Sequence, residues 1–281
     1  YDIYFNEVKI NKIFEKFANN RINISTNIGK NLEYLETTTE HPILGIKRKD
    51  VQILKYKNHL KSSLKKENET NSYENPYFIE ANNLEIGDLI AIPRQIGNIK
   101  EEILSKLLGF YLAEGSVLYS HKPHVGGILL TFNINEIEFA EEAKEYGLKL
   151  GATSVTIKER PKKSILEVFI FGKQIGEKII NLGNKSSDKK FINAEIRNWD
   201  NESKLNIIKY WLKGDGHKNK KESIDKKLQK HWSGKTISPQ LAKDLLSLSR
   251  DIGLKPTINI EISKQENHKN IYKLVFNNYN Y

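Results

Sequence analysis

The sequence predicts an α+β protein in two parts: a mostly β domain over residues 1–97, then a pseudo-twofold, duplicated αββαββα domain over 98–281. Three observations carry this. Apolar residues change from short alternating runs to helical spacing near Gly97-Asn98, which marks a boundary. Beyond it, the order helix, strands, helix, strands occurs twice, about 98–200 and about 201–281. Each half also holds two helix-ending glycines at nearly one interval, Gly115 to Gly151 (36 residues) and Gly216 to Gly253 (37 residues), so duplication is the economical reading.

In the first part, Asn31 to Thr39, Val51 to Tyr56 and Leu89 to Ile92 have the β-branched and apolar character of strands, while Lys61 to Asn75 reads as a polar loop. Gly87-Asp88 signals a turn, and Pro93-Arg94 closes the unit. In the second part, Leu104, Leu107, Leu108, Tyr111 and Leu112 keep helical spacing up to Gly115, read as a C-terminal glycine stop. Val117 to Asn133 suits a hairpin around Lys122-Pro123 and Gly126-Gly127. Phe139, Ala143, Tyr146, Leu148 and Leu150 mark a second helix ending at Gly151. Ser154–Ile157 and Leu166–Ile170 pair as strands across a basic loop, Lys158 to Lys163, and a third helix spans Gly172 to Leu182. In the second half, Leu205, Ile208, Trp211 and Leu212 form a helix stopping at Gly216. Ser238-Pro239 starts the next, with Ser as N-cap and Pro as first helical residue, and Gly253 ends it. Thr257–Ile262 and Ile271–Phe276 are the closing strands.

Composition narrows the function. Hydrophobic content of 38% with 28% charge describes a globular chain. No apolar run spans a bilayer and no signal peptide is legible, so a cytoplasmic, nucleoid-associated protein is expected. Zero cysteines exclude disulfides, thiolate metal sites and cysteine nucleophiles. The seven histidines lack zinc-protease spacing, and no phosphate-binding or dinucleotide glycine fingerprint occurs. Zero methionines and the start at Tyr1 fit either an excised segment or a sequence from which modified methionines are missing. Of the net charge of +10, residues 1–97 carry +1 (14 basic, 13 acidic) and 98–281 carry +9 (31 basic, 22 acidic). Basic excess gathered in one domain points to a polyanion, because each neutralised phosphate releases a counterion.

The first helix of each repeat ends in an acid followed by glycine: Ala113-Glu114-Gly115 and Gly214-Asp215-Gly216. An acid in a helix's last turn is unfavourable, because that end already carries about half a negative charge. Two such acids at equivalent positions, 101 residues apart, need a compensating partner. A divalent cation supplies one, held by the carboxylates of Glu114 and Asp215 and the helix-end carbonyls of Ala113 and Gly214. Gly109, Ala113 and Gly214 are small enough to let the two helices pack closely.

The run Leu107-Leu108-Gly109-Phe110-Tyr111-Leu112-Ala113-Glu114-Gly115 resembles the nine-residue motif of the LAGLIDADG homing endonucleases, and Ile208-Lys209-Tyr210-Trp211-Leu212-Lys213-Gly214-Asp215-Gly216 its second copy. Tyr210 and Lys213 depart from the motif, where it has small or acidic residues, and Glu114 replaces the usual Asp. The resemblance implies a monomeric, Mg²⁺-dependent endonuclease (Mn²⁺ as substitute) that hydrolyses both strands of a long duplex DNA site, leaving short 3′ overhangs. It implies that Glu114 and Asp215 hold the metal, one centre for each strand. Lys189-Lys190-Phe191-Ile192-Asn193 resembles the family's lysine-then-Ile-Pro stretch, which makes Lys190 the catalytic lysine and Lys273 or Lys235 its counterpart. The other class compatible with this reading is a non-cleaving nucleic-acid binder, an RNA maturase or a decayed endonuclease.

DNA contact falls to the strands, since a β-ribbon enters the major groove. The first repeat offers Tyr119, His121, Lys122, His124, Lys158, Arg160, Lys162 and Lys163. The second offers His217, Lys218, Lys220, Lys230, His231, Lys235, Thr257, Asn259 and Lys264.

In the first hundred residues, Thr38 and His41 stand in a Thr-x-x-His block resembling that of inteins, and Ala81 to Pro93 resembles the strand before an intein's endonuclease insertion. That implies a partial splicing (Hint) domain with Thr38 and His41 as remnants. With Tyr1 first, no cysteine, and Tyr279-Asn280-Tyr281 last, splicing is not expected of this sequence. A truncated scaffold and a segment of a full intein both remain open.

Overall fold

The computed structural model describes residues 20–26, 34–50, 75–92, 94–121, 123–221, 229–263 and 269–276. Two compact units emerge, one built from strands between Arg21 and Ile90 and the other from Arg94 onward.

The first unit is β-rich. β1 (Arg21–Ser25) pairs antiparallel with β2 (Tyr34–Thr38), and β3 (Pro42–Ile46) lies between β4 (Tyr77–Glu80) and β5 (Leu89–Ile90). Ile43, Ile46, Ile79 and Ala81 form its small buried core. The run Leu89–Ile92 yields only a two-residue strand, prolonged by one bond from the Ala91 N–H to the Leu44 carbonyl (2.8 Å). Asp88 ties the turn before β5, accepting from the backbone N–H groups of Arg48 (2.9 Å) and Glu85 (2.8 Å) and pairing with Lys47 at 3.0 Å. The expected strand Val51–Tyr56 lies outside the described residues, as does the expected polar loop up to Glu74.

The second unit runs α1 (Glu102–Glu114), β6 (Gly115–His121), β7 (His124–Asn133), α2 (Ile137–Lys149), β8 (Ser154–Arg160), β9 (Ile165–Phe171) and α3 (Lys173–Gly183). It continues with α4 (Asn201–Asp215), β10 (Gly216–Lys221), β11 (Gln229–Thr236), α5 (Pro239–Asp251), β12 (Thr257–Glu261) and β13 (Ile271–Phe276). Both four-stranded sheets are antiparallel, ordered β6-β7-β9-β8 and β10-β11-β13-β12, so the strand order of the second half matches that of the first, whereas the expected third helix of the second half has no counterpart of α3 among the described residues. The sheets form because alternate residues are apolar: Leu166, Val168 and Ile170 of β9 are buried beneath the helices and their neighbours face outward. α1 is apolar nearly all round and is buried from Leu107 to Leu112, as a central helix must be.

A buried charge cluster fixes the chain ahead of α1. Asp251 accepts from the Gln95 backbone N–H (3.0 Å) and from Arg197 (3.0 and 3.2 Å), while the Lys204 ammonium donates to the Gln95 carbonyl (2.6 Å). Each buried charge is thereby met by an opposite charge or a hydrogen bond, without which it would be costly.

Three local expectations need correction. Gly115 and Gly216 are not left-handed helix stops; their φ values are −89° and −88°, and each helix passes straight into a strand. Glycine is needed there for room, since an added Cβ would lie 2.5 Å from the Tyr111 carbonyl oxygen at Gly115 and 1.8 Å from that of Leu212 at Gly216. Gly151 and Gly253 do take positive φ, +85° and +83°. The basic loop is shorter than Lys158–Lys163, because β8 runs on to Arg160 and one 3-10 turn, Pro161–Lys163, joins it to β9. Gly126 and Gly127 lie inside β7 rather than at the hairpin's turn.

Candidate active site at the paired helix ends

α1 and α4 pack against each other along their lengths, and small residues set how closely. A Cβ on Gly109 would come within 2.6 Å of the Tyr210 Cβ and 2.7 Å of the Ile207 carbonyl oxygen. One on Gly214 would come within 2.6 Å of the Ala113 Cβ and 3.1 Å of the Glu114 Cγ. The C-terminal ends therefore touch, and Glu114 and Asp215, the last residue of each helix, come together.

Their electrostatics reflect that crowding. Burial and then the neighbouring Glu114 push the Asp215 carboxyl up to about 7, against the pull of Lys190. Glu114 is also raised, by burial first and then by Glu136, with Lys190 again opposing. By its surface Asp215 is nevertheless an exposed residue, so a ligand can reach it, and Glu114 is half-buried.

Lys190 is buried, with 3% of its surface exposed, and is not a solvated surface lysine. Its ammonium donates to the carbonyls of Tyr111 (2.8 Å) and Leu112 (3.0 Å), approaches that of Ala113 (3.5 Å), and lies 5.2 Å from the centre of the Tyr111 ring. Burial lowers it to about 8, although Asp215 and Glu114 favour its charged form. Contacts from three elements help to hold its segment. Ser238, the N-cap of α5, donates its hydroxyl to the Lys190 carbonyl (2.6 Å); the Ile192 N–H donates to Asp244 (2.8 Å); and the Asn184 amide donates to the Lys189 carbonyl (2.8 Å).

A cavity of about 250 Å³ opens beside these groups, lined by Leu112, Ala113, Lys190, Asp215, Lys235 and Thr236 among others. Lys235 thus reaches the site, where its ammonium pairs with Glu261 at 3.0 Å. Lys273 sits opposite Lys235 in the β11–β13 ladder but does not line the cavity.

The donor set suits a hard divalent cation. Two carboxylates disfavoured in their charged forms gain from positive charge, and the helix-end carbonyls of Ala113 and Gly214 add neutral oxygens. The Ala113 carbonyl is shared with Lys190. Among the described residues no three His, Cys, Asp or Glu side chains converge closely enough to hold a metal ion by themselves, so a cation here would draw further ligands from substrate or water.

Sequence reasoning missed Glu136. It stands at the N-cap position of α2, accepts from the Asn133 N–H (2.8 Å), and is a third acid acting on Glu114. The only signal was an acid three residues after Asn133 at a strand-to-helix turn. The two departures from the motif, by contrast, are absorbed by α2. The Tyr210 hydroxyl meets that of Tyr146 at 2.8 Å, its ring stands edge-on to Phe110 at 4.9 Å, and the Lys213 ammonium pairs with Glu142 at 2.8 Å, 4.4 Å from the centre of the Tyr210 ring.

Of the expected DNA contacts, Tyr119, His121 and His124 are exposed on the β6–β7 hairpin, and Lys158, Arg160, Lys162 and Lys163 are exposed on β8 and its turn. Arg160 pairs with Glu167 at 2.9 Å. Thr257 and Asn259 are exposed on β12. His217, Lys218 and Lys220 lie on β10, with Lys230 and His231 on β11. Lys122 and Lys264 fall outside the described residues. In the first unit, Thr38 and His41 share one turn, where the His41 N–H donates to the Thr38 carbonyl (3.2 Å).

No family model matches the chain. Among curated proteins it is similar to transcription initiation factor IIB of Methanocaldococcus jannaschii, 30% identical over 205 residues, covering 69% of this chain and 26% of that protein. It is also similar to an iron-sulfur cluster assembly SufBD family protein of Mycobacterium tuberculosis, 25% identical over 186 residues, covering 64% of this chain and 21% of that protein. The chain thus spans about a quarter of the length of the curated relatives it matches. Solved structures similar to it include I-DmoI in complex with DNA and Mn (13% identity, TM-score 0.44, 62% of this chain and 89% of that one). The homing endonuclease I-WcaI bound to its DNA recognition sequence is another (15%, TM-score 0.35, 64% and 78%). A third is the N-terminal LAGLIDADG domain of DUF199/WhiA (13%, TM-score 0.39, 62% and 75%). No helix among the described residues is long and apolar enough to cross a membrane.

Proposed function

We propose that the second unit is a site-specific, metal-dependent DNA endonuclease of the LAGLIDADG homing type, acting as a monomer with two unequal centres. The observation that carries this is the meeting of Glu114 and Asp215 at touching helix ends, with Lys190 buried beside both. The sequence resemblance supplies the family. The net +9 of residues 98–281 supports a polyanion as substrate.

The roles follow from chemistry. Glu114 and Asp215, with the Ala113 and Gly214 carbonyls, hold a divalent cation of the Mg²⁺ or Mn²⁺ kind. When bound, the cation supplies the positive charge that phosphodiester hydrolysis needs at the phosphate and the leaving oxygen. Lys190 holds the end of α1 and adds positive charge beside the developing anion. Lys235 lies in the same cavity and contributes on the side of the second repeat. Burial and then Glu136 raise Glu114, whereas burial and then Glu114 raise Asp215, so the two acids have different neighbours and the two centres are inequivalent.

The first unit reads as a partial splicing domain, with Thr38 and His41 as remnants. Two relatives of unrelated names, each matched over about a quarter of its length, support an origin as an inserted element.

The test selects sequences from a randomised duplex library with the full chain in Ca²⁺, then adds Mg²⁺ and maps scission on each strand. Enrichment of one long sequence, followed by scission of both strands within it, is expected. Enrichment without scission replaces this reading with a non-cleaving binder. No enrichment removes DNA recognition altogether.

A further inference from the structure

The two sheets turn chemically different faces away from their helices. On the second sheet, the outward row at Lys235 continues through Lys273 on β13 to Asn259 on β12. That row is polar and basic. On the first sheet the equivalent face carries two aromatic residues among polar ones, Ser154, Thr156 and Glu167. Phe169 of β9 lies opposite Leu129 of β7 on one side and Thr156 of β8 on the other, and Phe171 lies opposite Gly127 and Ser154. The Phe169 and Phe171 rings stack with centroids 6.1 Å apart and planes 12° apart, and the Lys158 ammonium sits 5.0 Å above Phe169. Phe171 is 39% exposed, whereas the inward Leu166, Val168 and Ile170 are at most 1% exposed.

Two features select duplex DNA as the occupant of this face. Its edge is basic, with Lys158, Arg160, Lys162 and Lys163 exposed along β8 and the turn after it. It is also continuous with the site: β6 begins at Gly115, next to Glu114, and Ser116 is paired with Leu129, which is paired with Phe169. In the major groove, the apolar group that a phenyl ring can meet is the C5 methyl of thymine. Two strand spacings of about 4.8 Å place Phe169 roughly 10 Å across the sheet from Ser116. At about 3.4 Å per base step this is some three base pairs.

We propose that the first repeat reads its half-site by apolar contact of Phe169 and Phe171 with thymine methyl groups about three base pairs from the scissile bond. This rests on the nuclease reading above and adds to it the base chemistry of one half-site.

The test replaces thymine by deoxyuridine, one position at a time, in a duplex selected by the full chain in Ca²⁺. That change removes only the methyl group. At one or two positions in one half of the site, binding should weaken about fourfold per methyl, from roughly 0.8 kcal/mol for a buried CH₂-sized group. Phe169→Ala and Phe171→Ala should lose this sensitivity while protecting the other half of the site normally. Indifference of the unaltered protein to deoxyuridine at every thymine overturns the proposal without recourse to any variant, as does unchanged sensitivity in both folded variants. A protein seated on this face in place of DNA would give that same indifference. Failure to select any sequence overturns the nuclease reading and this inference together, so the two failures are distinguishable.

Discussion

The ammonium of Lys190 lies 2.8 Å from the carbonyl oxygen of Tyr111, so the last turn of α1 is closed by a buried cation from a segment 79 residues away. The same ammonium favours the ionised forms of both Glu114 and Asp215. Lys190→Met should therefore lose twice. Uncapping two helix-end carbonyls should cost about 1–3 kcal/mol in denaturant unfolding. Removing the charge should slow strand scission by about 100-fold or more at protein concentrations that saturate the DNA.

Metal affinity should follow the ionisation of Asp215. Because burial and Glu114 hold that group near 7, protons compete with the cation below neutrality. Mn²⁺ binding by the metal-free protein should tighten by up to about tenfold per pH unit between pH 5 and 7, then level off, if one proton is released. The sign for stability is opposite. A carboxyl raised on folding stabilises in its protonated form, so without metal the melting temperature should fall as pH rises from about 4 to 7 and then level off. Asp215→Asn should flatten both profiles. Calorimetry and thermal unfolding check the pair, and an unchanged Mn²⁺ profile in the variant would assign the titration to another group.

Close helix approach makes Gly109 intolerant. The Cβ of Gly109→Ala would meet the Tyr210 Cβ at 2.6 Å and a backbone oxygen at 2.7 Å, neither of which yields easily. A loss of about 1–3 kcal/mol is expected from overpacking. Scission should suffer more than stability, because parting the helices also parts the acids.

The buried hydroxyl pair of Tyr146 and Tyr210, 2.8 Å apart, predicts a non-additive cycle. Tyr210→Phe strands the Tyr146 hydroxyl and should cost about 1–2 kcal/mol; Tyr146→Phe should cost less, because Glu142 also meets the Tyr210 hydroxyl, and the double change should cost less than the sum of the two. Additive losses would show that each hydroxyl has another partner.

Much of the site was legible because it is written locally. Glu114 and Asp215 stand at the ends of apolar helical runs, each before a glycine, and Gly109, Ala113 and Gly214 announce close packing within those runs. The reason for Gly115 and Gly216 was not legible, since a backbone clash with the preceding turn and a left-handed stop leave the same residue in the sequence. Lys190 was visible through family resemblance alone; its burial depends on how residues 184–193 dock across α1 and α5. Tyr210 read as an obstacle to packing because Tyr146, which receives it, lies 64 residues away. Lys158 and Arg160 read as loop because they are charged, yet a strand with one open face needs apolar residues only at alternate positions.

The most direct measurement is strand-resolved scission of a selected duplex in Mg²⁺ by the unaltered chain, Glu114→Gln and Asp215→Asn, with binding in Ca²⁺ as control. The unaltered chain should cut both strands at different rates. Each variant should bind the site while its double-strand product falls about 100-fold or more. Scission of both strands by either variant at the unaltered rate would contradict the assignment of these two carboxylates as the catalytic pair.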